Sequence, residues 1–162
     1  MGLDMHLEAR HYYGGQWKEP GEFEGKKGHT LEIKGEFAEK NGLTAGKVKE
    51  ITEEVAYWRK ANAIHGWFVR NVYEDIDNCQ SSWVRRSQLK ELVDLCKDTI
   101  LALDAKNYAK AERLLPPTEG FFFGQYDVKH EWYREELEET ILQIEKVLKR
   151  ESDCSFYYSA SW

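Results

Sequence analysis

Strict alternation of apolar and polar residues at both ends of the chain constrains its fold most strongly. Apolar side chains occupy every second position at the N-terminus, at Leu3, Met5, Leu7 and Ala9. The same spacing recurs near the C-terminus, at Phe156, Tyr158, Ala160 and Trp162. A period of two is the pattern of a strand with one buried face. We therefore predict a strand at each end of the chain and expect the two strands to lie side by side.

Longer segments between these strands place apolar residues at the spacing of amphipathic helices. We predict helices over about 47–72 and about 128–150, and a third helix that Ser87 caps and that runs to about residue 104. A weaker helical segment covers about 105–115 and has to end at Pro116 and Pro117, because proline cannot continue a helix.

The remaining segments are shorter and more irregular. We predict short strands at about 30–36 and 83–85, an apolar loop or edge strand at 120–124, and a flexible glycine-rich loop over about 14–28. Together these elements predict an α+β fold in one domain, residues 1–162. Its small, mostly antiparallel sheet includes the N- and C-terminal strands and is covered by about three helices.

Composition excludes several classes of protein. With 162 residues and 41% hydrophobic side chains, the chain can bury a core. A net charge of -6 argues against binding to duplex nucleic acid, which favours a basic surface. No apolar run approaches the roughly 20 residues that span a membrane, and no signal peptide is recognisable. Three widely spaced cysteines, without a C-x-x-C pair, indicate reduced thiols and predict a cytoplasmic location.

Residues 57–70 form the densest group of side chains that could carry a function. If the predicted helix continues through them, one face carries residues three or four positions apart, namely Arg59, Asn62, His65 and Gly66. Trp58 and Trp67 border that face. Cations and an amide beside flat aromatic rings suit a small anionic ligand such as a nucleotide. The plainer alternative is that the aromatic side chains are core and the cations extend into solvent.

The ligand hypothesis assigns a role to each group in this segment. Cationic and imidazole side chains hold phosphates, an amide binds a polar edge of a base or ribose, and a tryptophan stacks on the base. Tyrosines near the C-terminus add to an aromatic pocket wall. The predicted ligand-binding residues are Trp58, Arg59, Lys60, Asn62, His65, Trp67, Arg70, Tyr157 and Tyr158.

No nucleophile motif, phosphate-binding loop or metal-ligand spacing is recognisable, so we predict neither a catalytic residue nor a metal or cofactor. Two other hypotheses remain open. The first is a metal-dependent hydrolase of a phosphorylated small molecule that uses Asp4, His6 and His65. The second is an interaction module that binds a host protein through its aromatic surface. The aromatic surplus is also compatible with a homo-oligomer.

Several stretches resemble a family of small phage and prophage proteins: MGLDM at residues 1–5, YWRKAN with IH and WFV within 57–69, GFFFG at 120–124, and FYY with SW within 156–162. The resemblance covers most of the chain, although not residues 14–28. It implies a context more than an activity: small proteins that counter host defence, some of which sequester cyclic nucleotide signals without cleaving them.

The leading hypothesis is therefore a non-enzymatic phage protein with an anti-defence role. It would bind and sequester a small nucleotide-derived, phosphorylated signal in the cytoplasm of the host cell.

Overall fold

The alternation at the N-terminus produces the strand that it predicts. The structure, a computed structural model, describes residues 2–13, 15–19, 22–25, 32–44, 48–120 and 126–162. In strand β1 (Asp4–Tyr12), the side chains alternate between the two faces of the sheet. The odd-numbered side chains predicted to be apolar and internal are all buried: Leu3, Met5, Leu7 and Ala9.

The chain forms two compact units, residues 1–9 with 54–162 and residues 10–53. Within the second unit, β2 (Gly15–Glu19) and β3 (Glu22–Gly25) pair as an antiparallel hairpin, and α1 (Glu36–Lys40) is a short helix. The prediction of a stretch without regular structure is therefore wrong at 15–19 and 22–25. Backbone hydrogen bonds pair these strands, and such pairing requires no apolar periodicity.

The strand predicted at about 30–36 is also wrong. Residues 32–34 have no regular structure, and α1 begins at Glu36. Gly35 adopts a φ of 108°, which interrupts an extended chain and which a side chain would strain. Residues 30 and 31 lie outside the described residues.

Four strands form an antiparallel sheet in the order β4-β1-β6-β5. They are β1, β4 (Glu50–Arg59), β5 (Ser82–Val84) and β6 (Ser155–Ser161). The N- and C-terminal strands are neighbours, as the two alternating patterns predict. Helices pack against this sheet, so the predicted α+β fold is confirmed.

The helices are α2 (Asn62–Asn71), α3 (Arg86–Asp104), α4 (Tyr108–Leu114) and α5 (Glu131–Leu148). The last three confirm the predicted helices apart from their ends. Ser87 lies inside α3 and is not its cap. The cap is Arg85, whose backbone N–H donates to the Gln88 side chain at 2.9 Å. None of the helices in the described part of the chain is long and apolar enough to cross a membrane.

The long central helix predicted over about 47–72 is wrong. The chain forms strand β4, bends at Lys60 with a φ of 60°, and only then enters α2. Ile51 and Val55 fit a helical stripe, but β-branched residues also favour strands, and pairing with β1 decides between the two. The Lys60 amide, which donates to the carbonyl of Leu3 at 2.8 Å, marks the end of that pairing.

Helix α2 is buried along its first two turns, and residues 62–68 all lie in the interior. Its Phe68 ring stacks on Tyr158 of β6, with ring centroids 3.7 Å apart and planes within 6° of parallel. On β4, Trp58 is buried as well, and its indole N–H donates to the Thr140 hydroxyl of α5 at 2.9 Å. The core therefore joins the sheet to α2 and α5 through aromatic side chains.

Two tryptophans provide a matched test of this core. Trp58 is 1% exposed and hydrogen bonded, whereas Trp83 on β5 is 54% exposed. We expect Trp58→Phe to lower the free energy of unfolding by about 1–3 kcal/mol through the lost hydrogen bond and the cavity. Trp83→Phe should change it by less than about 0.5 kcal/mol. Urea denaturation measures both changes. Equal changes for the two variants would contradict the placement of Trp58 in the core and of Trp83 at the surface.

Candidate functional site

The bend at Lys60 changes which predicted site residues lie together. Arg59 ends β4 and Lys60 forms the bend, and both side chains are exposed. Asn62 and His65 belong to α2 and are buried. Because Arg59 precedes the helix, it does not share a helical face with Asn62 and His65 as predicted. The ligand-binding roles of these residues stay predictions.

The predicted stacking aromatics lie mostly inside the core. Trp58 and Trp67 are buried, and Trp67 packs edge-on against Phe68 with ring centroids 5.1 Å apart. Tyr158 is also buried, whereas Tyr157 points to the opposite face of the sheet and is half-buried. For the buried rings, this packing supports the plainer alternative of structural core.

His65 is a buried histidine with a protein partner on each ring nitrogen. Its Nδ1 lies 2.8 Å from the Tyr158 hydroxyl, and its Nε2 lies 2.9 Å from Asp77 Oδ2. A neutral imidazole satisfies both contacts if Tyr158 donates to Nδ1 and the Nε2–H donates to Asp77. Burial raises the pKa of Tyr158 well above its ordinary value, so the phenol keeps the proton that it donates. These contacts give His65 a structural role.

Asp77 belongs to this cluster although the sequence argument passed over it. It follows α2 in a turn where Glu74, Asp75 and Cys79 all adopt positive φ angles, which are uncommon for residues other than glycine. The Tyr73 hydroxyl holds the turn by donating to the carbonyl of Gln80 at 2.6 Å. Asp77 Oδ1 is buried and has no hydrogen-bond partner in the part of the chain that the structure describes.

A second cluster lies at the start of α2, where the buried Asn62 meets the half-buried side chains of Tyr126 and Glu136. The Asn62 backbone N–H donates to the Tyr126 hydroxyl at 3.1 Å, and the same hydroxyl is hydrogen bonded to the Glu136 carboxyl of α5. Burial raises the pKa of Glu136 to about 8 and the pKa of Tyr126 well above its ordinary value. For Glu136 the cost of burying a charge outweighs the hydrogen bond from Tyr126, which acts in the opposite direction.

Sequence reasoning missed Glu136 because it stands among several exposed glutamates. Its spacing was a usable signal, since it lies three residues after Tyr133 and four before Thr140, both of which are buried. Tyr126 had no comparable signal, because it lies in a loop and its contact with α2 is tertiary.

Asn62, Gly66 and Arg70 are four residues apart on α2 and therefore share a face. The Thr118 backbone N–H donates to Asn62 Oδ1 at 3.3 Å. A Cβ added to Gly66 would lie 2.1 Å from Thr118 Oγ1 and 3.0 Å from Arg70 Nη1. Glycine at residue 66 thus lets the Thr118 segment lie directly on the helix, with a guanidinium beside its hydroxyl.

Arg70 makes no hydrogen bond or ion pair within the described residues. Although its side chain is exposed overall, packing around the guanidinium lowers the pKa of Arg70, and nearby Asp75 offsets this in part. A partly desolvated cation whose charge is only partly compensated is a favourable place for an anion. We call Arg70, Thr118 and Gly66 the Arg70 site.

The residues of the hydrolase hypothesis have protein partners. Asp4 accepts a hydrogen bond from the Tyr57 hydroxyl, and His6 Nδ1 lies 2.7 Å from Glu54 Oε2. Among the described residues, no three histidine, cysteine or acidic side chains come together as metal ligands. The predicted loop or edge strand at 120–124 lies outside the described residues except for Gly120. The interaction hypothesis stays a prediction; on the sheet, the exposed Trp83 lies opposite the half-buried Tyr157.

In comparisons with known proteins, no family model, curated protein or solved structure matches the chain. The function therefore has to be argued from the geometry of the described residues.

The close approach at Gly66 predicts a specific double-mutant result. Gly66→Ala should lower the free energy of unfolding by about 1–3 kcal/mol, because the added methyl displaces the Thr118 hydroxyl. In a Thr118→Ala background the nearest Thr118 atom would be its Cβ at 3.3 Å. There the same substitution should be nearly neutral, since alanine is favoured over glycine in a helix by about 1 kcal/mol. Chemical denaturation measures the effect of Gly66→Ala on the free energy of unfolding in both backgrounds. Equal losses in the two backgrounds would contradict the contact between Gly66 and the Thr118 hydroxyl.

Glu136 predicts a pH dependence of stability. Its pKa is raised in the folded protein, so between about pH 4.5 and 8 the unfolded chain releases this proton while the folded chain keeps it. Stability should therefore fall as pH rises through this window, by up to ~1.4 kcal/mol per pH unit. Glu136→Gln cannot ionise at this residue and should lack this loss of stability. The free energy of unfolding of the variant should therefore rise relative to that of the wild type as pH increases.

Denaturation curves from pH 5 to pH 9 measure that difference. Glu131→Gln removes the same charge from an exposed residue of α5 that is not among the charges raising the pKa of Glu136, and it controls for the change in net charge. Parallel stability profiles for the wild type and Glu136→Gln would show that Glu136 ionises as readily when folded as when unfolded.

Proposed function

We propose that this protein binds a small phosphorylated molecule without altering it, and that the Arg70 site holds the phosphate. The observation that carries the proposal is the Arg70 guanidinium, which is partly desolvated, makes no hydrogen bond or ion pair among the described residues, and lies beside the Thr118 hydroxyl. A guanidinium presents a planar fork of N–H donors that matches phosphate oxygens, and a neighbouring hydroxyl adds another donor.

Charge supports an anion rather than a cation at this position. Asp75 is the acidic group that acts electrostatically on Arg70, and it compensates only part of the desolvation. The net charge of -6 does not oppose this, since a small ligand responds to the charges close to it. In the free protein the partial desolvation of the Arg70 guanidinium costs free energy. A bound anion would offset this cost, and the offset contributes to the affinity for the anion.

A nucleotide is the phosphorylated ligand that we favour. Arg70 lies at the exposed C-terminal end of α2, so a phosphate bound there leaves the rest of the ligand on the surface. Asn62 is buried and its side chain accepts the Thr118 N–H, so we assign it no contact with the base. The resemblance to small phage proteins adds the anti-defence context, in which the ligand is a signal that the protein sequesters.

Binding without chemistry agrees with the state of the titratable groups beside α2. His65 is hydrogen bonded through both nitrogens, and Glu136 is held by Tyr126. A general base needs a free lone pair within reach of its substrate, and the buried His65 imidazole offers none in this geometry.

Substitution of Arg70 tests the proposed function. We expect Arg70→Gln to weaken binding of inorganic phosphate and of adenosine nucleotides by roughly 10- to 100-fold, the effect of losing about 1.5–3 kcal/mol of charged hydrogen bonds. Arg70→Lys should lie between the two, because it keeps the charge and loses the fork. Calorimetric titration measures the affinities.

The sequence itself supplies matched controls. Arg59→Gln and Lys60→Gln remove exposed cations that precede α2, and each should change the affinity less than about 2-fold. If these variants lose binding and Arg70→Gln keeps it, the phosphate binds at Arg59 and Lys60, and the proposed Arg70 site is wrong. Each nucleotide should also be recovered intact after incubation, and a cleaved product would show an enzyme.

A further inference from the structure

Strand β4 is an edge of the four-stranded sheet, and β1 is the strand beside it. Within the described part of the chain, no strand pairs with the other side of β4. Because the Lys60 amide donates to β1, the backbone groups of Tyr57 and Arg59 face away from β1. We call the outward-facing backbone of residues 54–59 the β4 edge. Backbone groups along such an edge can bind a further strand.

The side chain of Gln143 on α5 imitates a neighbouring strand at this edge. Its Oε1 accepts the Tyr57 N–H at 2.8 Å, and its Nε2 donates to the Tyr57 carbonyl at 3.0 Å. Two residues of an antiparallel pair exchange the same two kinds of hydrogen bond. Gln143 therefore occupies both groups that a further strand would use at Tyr57.

The sequence of the β4 edge is complementary to itself in antiparallel orientation. If Tyr57 lies opposite Tyr57 of a second copy, Glu54 lies opposite Lys60 of that copy, and symmetry repeats this pair of opposite charges. The Glu54 side chain contacts His6 and is still 56% exposed, and Lys60 is exposed as well. Aromatic pairs and pairs of opposite charge both stabilise adjacent strands. A parallel pair would instead place Glu54 beside Glu54.

We propose that the β4 edge is a docking surface for a second copy of this chain, and that the Gln143 amide covers it in the monomer. The contact with Gln143 is intramolecular, so it avoids the loss of translational and rotational freedom that association requires. It therefore competes successfully with a second copy, and its removal exposes the edge. This inference does not depend on the proposed function.

Two substitutions of Gln143 test the proposal by different routes. Gln143→Met keeps the approximate volume and the helix propensity but has no amide, whereas Gln143→Ala adds no large apolar group. A contact between two strands is small, so we expect both variants to form a weak dimer at ~0.1–1 mM protein. The wild type should associate less at the same concentration. Leu142→Ala, at a residue of α5 that is 72% exposed, should behave as the wild type.

Sedimentation equilibrium measures the association. Variants of Gln143 that associate no more than the wild type would overturn the proposal. Association of Gln143→Met alone would also overturn it, because the added apolar side chain would then be the cause. Circular dichroism establishes that each variant is folded, and Gln143→Met keeps the test available if Gln143→Ala does not fold.

A charge exchange tests the antiparallel pairing. In the Gln143→Met background, Lys60→Glu places like charges opposite each other twice and should weaken the dimer about 5-fold or more. The further substitution Glu54→Lys restores opposite charges and should restore most of the affinity. A dimer that responds to neither substitution would not be the proposed strand pair.

Hydrogen exchange at the Tyr57 amide locates the contact. In dilute Gln143→Met this amide should exchange about 5-fold or more faster than in the wild type, because it has lost its acceptor. At high protein concentration the exchange should become slow again, since a strand of the second copy supplies an acceptor. An amide that stays slow when dilute would show that Gln143 does not cover the edge. One that stays fast in the dimer would place the interface elsewhere.

Discussion

The burial of α2 is the constraint on which the rest of the structure depends. A helix enclosed from Asn62 to Phe68 has to give every polar group a partner inside the protein, because water cannot reach it. That requirement places Asp77 and Tyr158 at His65, and Thr118 and Tyr126 at Asn62. The positions of the turn after α2, the last strand and the loop before α5 all follow from these contacts.

The same burial explains why the interesting groups lie at the ends and edges of α2. In the middle of the helix, Ile64 and Phe68 are purely core, and Phe68 stacks on Tyr158. Toward its C-terminal end the helix reaches the surface, and there the Arg70 guanidinium is partly desolvated and makes no ion pair with any residue that the structure describes. At its N-terminal end the Asn62 amide donates to Tyr126, which is hydrogen bonded to Glu136. The proposed anion site and this contact thus lie at opposite ends of one helix.

Much of the fold could be predicted from periodicity. The terminal strands follow from alternation at Leu3–Ala9 and at Phe156–Ala160, since a period of two leaves a single way to bury one face. Helices α3 and α5 follow from long amphipathic stripes. The central segment could not be predicted in this way, because Ile51, Val55 and Trp58 fit helical spacing while Ala56 and Trp58 also fit a strand. Pairing with β1 makes this segment a strand, and such a long-range contact cannot be read from the local spacing of apolar residues.

The candidate site was predictable only in part for the same reason. Arg70 and Asn62 were recognised by residue type, but the face that they share became visible only once the start of α2 was known. Glu136 looked like one exposed glutamate among several. Its raised pKa arises from burial in the tertiary structure, which outweighs the opposing hydrogen bond from Tyr126. Gly66 was placed on the predicted functional face, but the reason for a glycine there is visible only in the structure, where a Cβ would lie 2.1 Å from Thr118 Oγ1.

Direct mapping of a bound phosphate tests the central claim, that the Arg70 site holds the anion. In a titration of the isotope-labelled protein with inorganic phosphate, followed by NMR of backbone amides and arginine Nε–H groups, the account predicts saturable shifts at Arg70, Gly66 and Thr118. Arg59 and Lys60 should stay unchanged. Shifts confined to Arg59 and Lys60, or no saturable shift anywhere on α2, would contradict it.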